Sequence, residues 1–393
     1  MRSSLLAIAK SRPQCIDTSG LSSIEVSNQG ELNAALAEIS CGTAVVLGAG
    51  EYNGDIDLNR SCGPADPLVL QNAPDARPIL NGKITLRGSH IYVTGMRINS
   101  GVRINGDSHR LSRNVMQGQG SGSLVIRSNG TNMTIDHNEI FDHGQGIRVC
   151  STGSCGGGEA NRGTYIGYNY FHDQKGQRKN ANENITTHGD AWGKSEITIE
   201  NNLIVNAGLD DEAISIKTSN NVVRGNTIIN SRGLVVRLGS NNLLEGNVII
   251  NGKGIRVHGD NNILDNNLIE DRVGIRIAEG SITQDDRNPE CKTGDIQPIK
   301  LLADGQCVKG HPAARNTVLM NNYADINLGC LSRKPSYNVP AQGTLMFNND
   351  GYVGQCLDAG TTDAGGRPSK PAPRALEPAD VGPDAGIEAC RPS

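Results

Sequence analysis

A repeat of about twenty residues dominates the middle of this chain. Coil by coil, from Ala213, it reads AISIKTSNNVVRGNTIINSR, GLVVRLGSNNLLEGNVIINGK, GIRVHGDNNILDNNLIEDRV and GIRIAEG. Paired asparagines recur at Asn220/Asn221, Asn241/Asn242 and Asn261/Asn262, and a second set at Asn226, Asn247 and Asn267. A unit this short cannot bury an apolar face alone; it must stack on its neighbours. Its apolar runs are three to five residues long, dense in Val and Ile, and separated by Asn/Gly turns, which reads as strand rather than helix. The expected fold is all-β: a right-handed, single-stranded parallel β-helix. The asparagines suit its corners, since Asn tolerates left-handed turns and stacked amides hydrogen-bond to one another.

Composition agrees. Aromatics are 3% and hydrophobics 36%, too sparse for a large globular core, and 49 glycines supply tight turns. Weaker copies of the repeat lie upstream, such as GVRINGDSHRLSRNV and SLVIRSNGTNMTIDHNEIF. A β-helix end exposes strand edges and needs a cover; the segment Gln29–Ile39 reads as an amphipathic helix able to cap it. The expected layout is an N-terminal extension over 1–21 and a capped β-helix over 22–360, its repeat clear from about 66. An excursion loop near 280–312 and an irregular Pro/Ala-rich tail over 361–393 complete it.

The net charge of −4 points to neither nucleic acid nor an anionic membrane, and no apolar run approaches spanning length. The start, MRSSLLAIAKSRP, has an apolar stretch too short for a signal-peptide core. A removed signal and a cytosolic start both stay open on that ground. Ten cysteines, none in a C-x-x-C pair, favour disulfides and a secreted or periplasmic setting. Cys150–Cys155 and Cys291–Cys307 would each close a local loop. The chain reads as a monomer.

Aligning the coils on their Asn pairs puts Lys217, Arg237 and His258 at one position in successive turns. Arg256 lies on the same face as His258, Arg276 follows one coil on, and Arg103, Arg127 and Arg148 sit in similar runs upstream. Stacked like charges destabilise a sheet, so this stripe asks for an anionic partner; a solvated face balanced by carboxylates such as Glu245 and Asp260 is the plainer alternative. Beside it stands DDEAISIK, 210–217, in which Asp210 and Glu212 point to one side of an extended chain. Paired carboxylates are hard oxygen ligands that suit Ca²⁺; a salt-bridged surface pair is the plainer alternative.

The stretch from Asn201 to Asn262 resembles the active-site coils of polysaccharide lyase family six, the alginate lyases and chondroitinase B. The resemblance rests on Asp210-x-Glu212, Lys217-Thr218, Leu234–Arg237–Gly239 and Gly254–Arg256. The chain departs from that pattern with Asp210 for Glu, Thr218 for Ser, and a histidine at His258. The resemblance implies β-elimination on a uronic-acid polysaccharide, alginate first among candidates. Lys217 would be the base and Arg237 the stabiliser and proton donor. Arg256, His258, Arg276, His188 and Arg148 would bind substrate, and Asp210, Glu212 and Asn180 would hold Ca²⁺. Three rivals stand beside it: a polygalacturonase-type hydrolase, a uronate C5-epimerase, and a non-catalytic carbohydrate-binding β-helix. The hydrolase signatures are missing from SRGLVVRLG and GIRVHG.

Overall fold

A computed structural model describes residues 3, 13–150, 162–175, 183–188, 194–208, 212–271, 273–283, 299–301, 305, 307–328, 339–354 and 360–385. The chain winds into a right-handed parallel β-helix. Among the described residues its strands form two long parallel sheets, of fourteen and nineteen strands. The coil Val222–Arg224, Thr227–Ile229, Gly233–Val236 is representative: its first strand joins the smaller sheet and the other two the larger.

Alternation builds the core. In four successive strands of the larger sheet, Ile214, Ile216, Leu234, Val236, Ile255, Val257, Ile275 and Ile277 point inward and are fully buried. The residues between them point outward, as the two-residue period of a strand requires.

The asparagines divide into two jobs. Asn220, Asn241 and Asn261 take left-handed backbone at φ 64°, 57° and 56°, turning the corner at little cost. Their partners Asn221, Asn242 and Asn262 are buried, and each amide donates to the next at 2.9 and 3.0 Å. The second ladder is longer. Asn226 donates to Asn247 at 3.0 Å, Asn247 to Asn267 at 3.0 Å, and Asn267 to Asn322 at 2.9 Å. It extends upstream through Asn202, Asn169, Asn138 and Asn114. A buried corner thereby satisfies amides that would otherwise be costly to desolvate.

The N-terminal cap is present as the helix Gln29–Glu38. Asn28 caps it by accepting the Glu31 N–H at 3.0 Å, and Leu32 and Ala35 join the core. The stack begins earlier than the clear repeat: Ser22–Val26 already pairs in parallel with Thr43–Leu47, and that strand with Leu68–Asn72. Ile263–Asp265 pairs with Val318–Met320, and between them Ile299–Leu301 and Cys307–Lys309 form an antiparallel pair.

Two features were not anticipated. Cys41 and Cys62 form a disulfide beneath the cap; Cys15 and Cys150 are also disulfide-bonded, while Cys155 and Cys291 lie outside the described residues. The tail, expected to be merely irregular, runs back along the solenoid. Thr362–Asp363 adds a strand to the smaller sheet. Lys370 then meets Asp265, the Leu376 N–H donates to Thr227 Oγ1, the Gly382 N–H donates to the Tyr168 carbonyl, and Arg113 holds the Pro383 carbonyl.

Candidate active site

The strand register turns the charged stripe into geometry. Ile185 pairs with Ile214, Ile216 with Val236, and Val236 with Val257. One residue beyond the strand centres, His188, Lys217, Arg237 and His258 therefore occupy one outward column in four successive coils. A parallel column two residues earlier holds Arg148, Thr186, Ser215, Val235, Arg256 and Arg276.

Two buried carboxylates stand beside these columns. Glu212 was expected there. Its Oε1 accepts from Arg256 Nη2 at 2.9 Å and lies 3.9 Å from Arg237 Nη1, while its other oxygen accepts from the Ser215 hydroxyl. Arg256 reaches it from two coils away past Gly233 and Gly254, which carry no side chains to block the path. Gly254 cannot be replaced: its φ is 62°, and a Cβ there would lie 1.9 Å from the Gly274 carbonyl oxygen.

The second carboxylate, Glu183, was missed. It is 1% exposed and accepts from Lys217 Nζ at 2.8 Å and from Gln145 Nε2 at 2.9 Å. Burial alone would raise its pKa; the Lys217 charge and hydrogen bond, helped by a backbone contact and Arg148, hold it below the ordinary value instead. A sequence signal existed: Glu183-x-Ile185 repeats Glu212-x-Ile214 one coil earlier. Asp210 and Asn180 lie outside the described residues. Among the described residues no three His, Cys, Asp or Glu side chains form a ready metal cluster. Glu183 and Glu212 are nonetheless oxygen donors from neighbouring coils, the chemistry that Ca²⁺ takes.

A family model described as a right handed beta helix region matches residues 179–288. No curated protein sequence matches the chain. Among solved structures, the PL6 family polysaccharide lyase of Pseudopedobacter saltans superposes with a TM-score of 0.69 at 18% identity, covering 92% of this chain and 99% of that one. A mannuronic acid specific family 6 lyase from human gut microbiota gives 0.67 at 19%, covering 85% and 83%. A PL6 alginate lyase in complex with a trisaccharide gives 0.67 at 18%, covering 89% and 85%. The chain shares the parallel β-helix fold of these solved lyases.

Within that fold, the excursion brings one more residue to the centre. Arg237 Nε donates to His311 Nε2 at 3.0 Å, so that imidazole nitrogen acts as the acceptor. Sequence reasoning had no way to find His311, because it returns from an interruption that broke the repeat. His258, expected on the substrate face, is instead 3% exposed. Its Nδ1 meets the Pro312 carbonyl at 3.1 Å and its ring lies 5.0 Å from that of His311. Burial, together with the nearby His311 and Arg256, pushes its pKa well below the usual histidine range. It anchors the returning segment rather than contacting a polymer.

Proposed function

We propose that this protein is a polysaccharide lyase that cleaves a uronic-acid polymer, alginate first, by β-elimination. The observation that carries the reading is the register of Lys217 with Arg237 in adjacent coils, beside two buried carboxylates. The shared fold supports it, and the solved structures that carry it include lyases named for alginate and for mannuronic acid.

Lys217, as the free amine, takes the proton from C5 of a uronate. The electron pair forms the C4–C5 double bond, and the C4–O bond breaks. The departing oxygen takes up a proton and leaves as a hydroxyl. Arg237 places positive charge where the carboxylate becomes more anionic, the preorganised electrostatics such a step needs. Proton donation to the leaving oxygen is the weaker part of its role, since guanidinium holds its protons strongly. His311 takes up Arg237 Nε–H and so orients the Nη groups. Arg256, Arg276, Arg148 and His188 bind neighbouring sugars. A calcium ion held by Glu183 and Glu212, with Asp210 and Asn180 as further donors, would supply charge against the substrate carboxylate.

The disulfide chemistry fits a secreted or periplasmic enzyme. No described helix is long and apolar enough to cross a membrane.

The test is ultraviolet absorbance of the conjugated C4–C5 double bond during incubation with alginate, chondroitin, dermatan and pectate. A rise on one of them is the expected result. New reducing ends without absorbance would mean hydrolysis, inverted uronate without chain cleavage would mean epimerisation, and binding without change would mean a carbohydrate-binding solenoid.

A further inference from the structure

The cationic stripe does not end at the proposed cutting site. Upstream, Arg103 pairs with Arg127 and Arg127 with Arg148, and Arg148 continues into Thr186. The outward column thus holds three arginines, then the uncharged Thr186, Ser215 and Val235, then Arg256 and Arg276. Where it is uncharged, the neighbouring column supplies His188, Lys217 and Arg237. Every coil from Arg103 to Arg276 therefore presents a basic residue on one face. Eight coils at about 4.8 Å per step make a strip on the order of 34 Å long.

No carboxylate stands in the column between Thr85 and Thr186. Burial and the charges of Arg103 and Arg148 disfavour the charged form of Arg127, whose Nε donates to Asn129 Oδ1 at 3.4 Å; Arg148 donates to Gln145 and feels the charge of Glu183, while its buried Nε has no hydrogen-bond partner among the described residues. Beside the arginines the second column carries Asn105 and Asn129, whose amides bond to each other at 3.0 Å. Guanidinium next to amide, repeated coil by coil, matches a chain that offers a carboxylate and hydroxyls at each repeat. The coil spacing is close to the repeat of a 1,4-linked pyranose chain.

We infer that Arg103 and Arg127, with Arg148, form subsites for the carboxylates of a uronan chain lying along the solenoid axis, so that the protein grips a polymer well to the N-terminal side of Lys217. This rests on the function proposed above and extends it to the substrate's length and direction.

The experiment compares the Arg103→Gln/Arg127→Gln double variant with the wild type on trimannuronate and octamannuronate. If the sugars are cleaved, kcat/KM is read; if they are not, calorimetric Kd tests the strip, and the four-polymer absorbance assay decides the lyase reading separately. The double variant should lose about tenfold on the octasaccharide, as two partly exposed ion contacts would give, and less than twofold on the trisaccharide. Equal loss on both, or loss on neither, would overturn the inference. So would equally tight binding of neutral mannohexaose, or of a short DNA duplex through the same arginines. Because the substitutions relieve like-charge repulsion, the melting temperature should hold or rise. A clear fall would mean the arginines serve the fold instead.

Discussion

Lys217 Nζ lies 2.8 Å from Glu183 Oε1, across one step of the solenoid. The lysine is 12% exposed and the carboxylate 1%, so each is the other's chief compensation for leaving water. The proposed base is thus parked on a carboxylate, and what competes for Glu183 governs its availability.

Lys217→Ala should therefore do two things. Activity should fall by about 10²–10⁴-fold, the usual cost of removing a general base, and Lys217→Arg should not restore it. Stability should also change with pH. In the wild type the Glu183 carboxyl is held below its ordinary value, so its contribution is full above the unfolded value of about 4.3. That contribution is lost as pH drops through the folded value. Without Lys217 the buried carboxylate is uncompensated, and the variant should lose stability near neutral pH, where the wild type does not. Melting curves across pH check this; parallel curves for the two proteins would contradict the ion pair's role.

Calcium should bind through Glu183. Titration calorimetry of the wild type should show Ca²⁺ binding, and Glu183→Gln should weaken it more than tenfold by removing a charged ligand. Chelation should reduce activity and added Ca²⁺ restore it. Full activity after exhaustive chelation would mean that the arginines alone neutralise the substrate carboxylate.

His311 should behave as a positioning residue for Arg237. His311→Ala frees Arg237 Nε, and misplacement of a catalytic group by about 1 Å can cost on the order of 10²-fold. The expected signature is a drop in kcat with KM little changed, and partial rescue by His311→Gln, whose carbonyl can accept the same proton. Arg256→Ala should differ: KM rises as a substrate contact is lost, and kcat also falls because Glu212 loses its 2.9 Å partner.

Removal of the tail should destabilise without abolishing chemistry. Lys370 Nζ reaches the buried Asp265 at 2.7 Å, and Tyr323 donates to the Lys370 carbonyl at 2.6 Å. Truncation before Ser369 should lower the melting temperature by several degrees, an amount consistent with about 1–3 kcal/mol for an exposed buried-carboxylate contact and lost packing. Rates at room temperature should be near those of the full chain.

The solenoid itself was legible because its information is local. A two-residue alternation of Ile and Val, and asparagines every twenty or twenty-one residues, specify strand faces and corners coil by coil. Parallel register follows once the corners align, which is why Lys217, Arg237 and His258 fell in one column on paper and in space. Glu212 and the cap helix were readable for the same reason. What sequence could not carry was contact across the period. Glu183 belongs to a coil whose repeat is faint, and its meaning comes from Lys217 one coil on. Arg256 bonds to Glu212 over two coils, His311 re-enters after an interruption between Ile282 and Pro312, and the tail folds back along the stack. Periodicity determines which way a side chain points. Only the packed chain decides which charges meet, because burial makes those encounters strong enough to hold a carboxylate ionised and a histidine neutral.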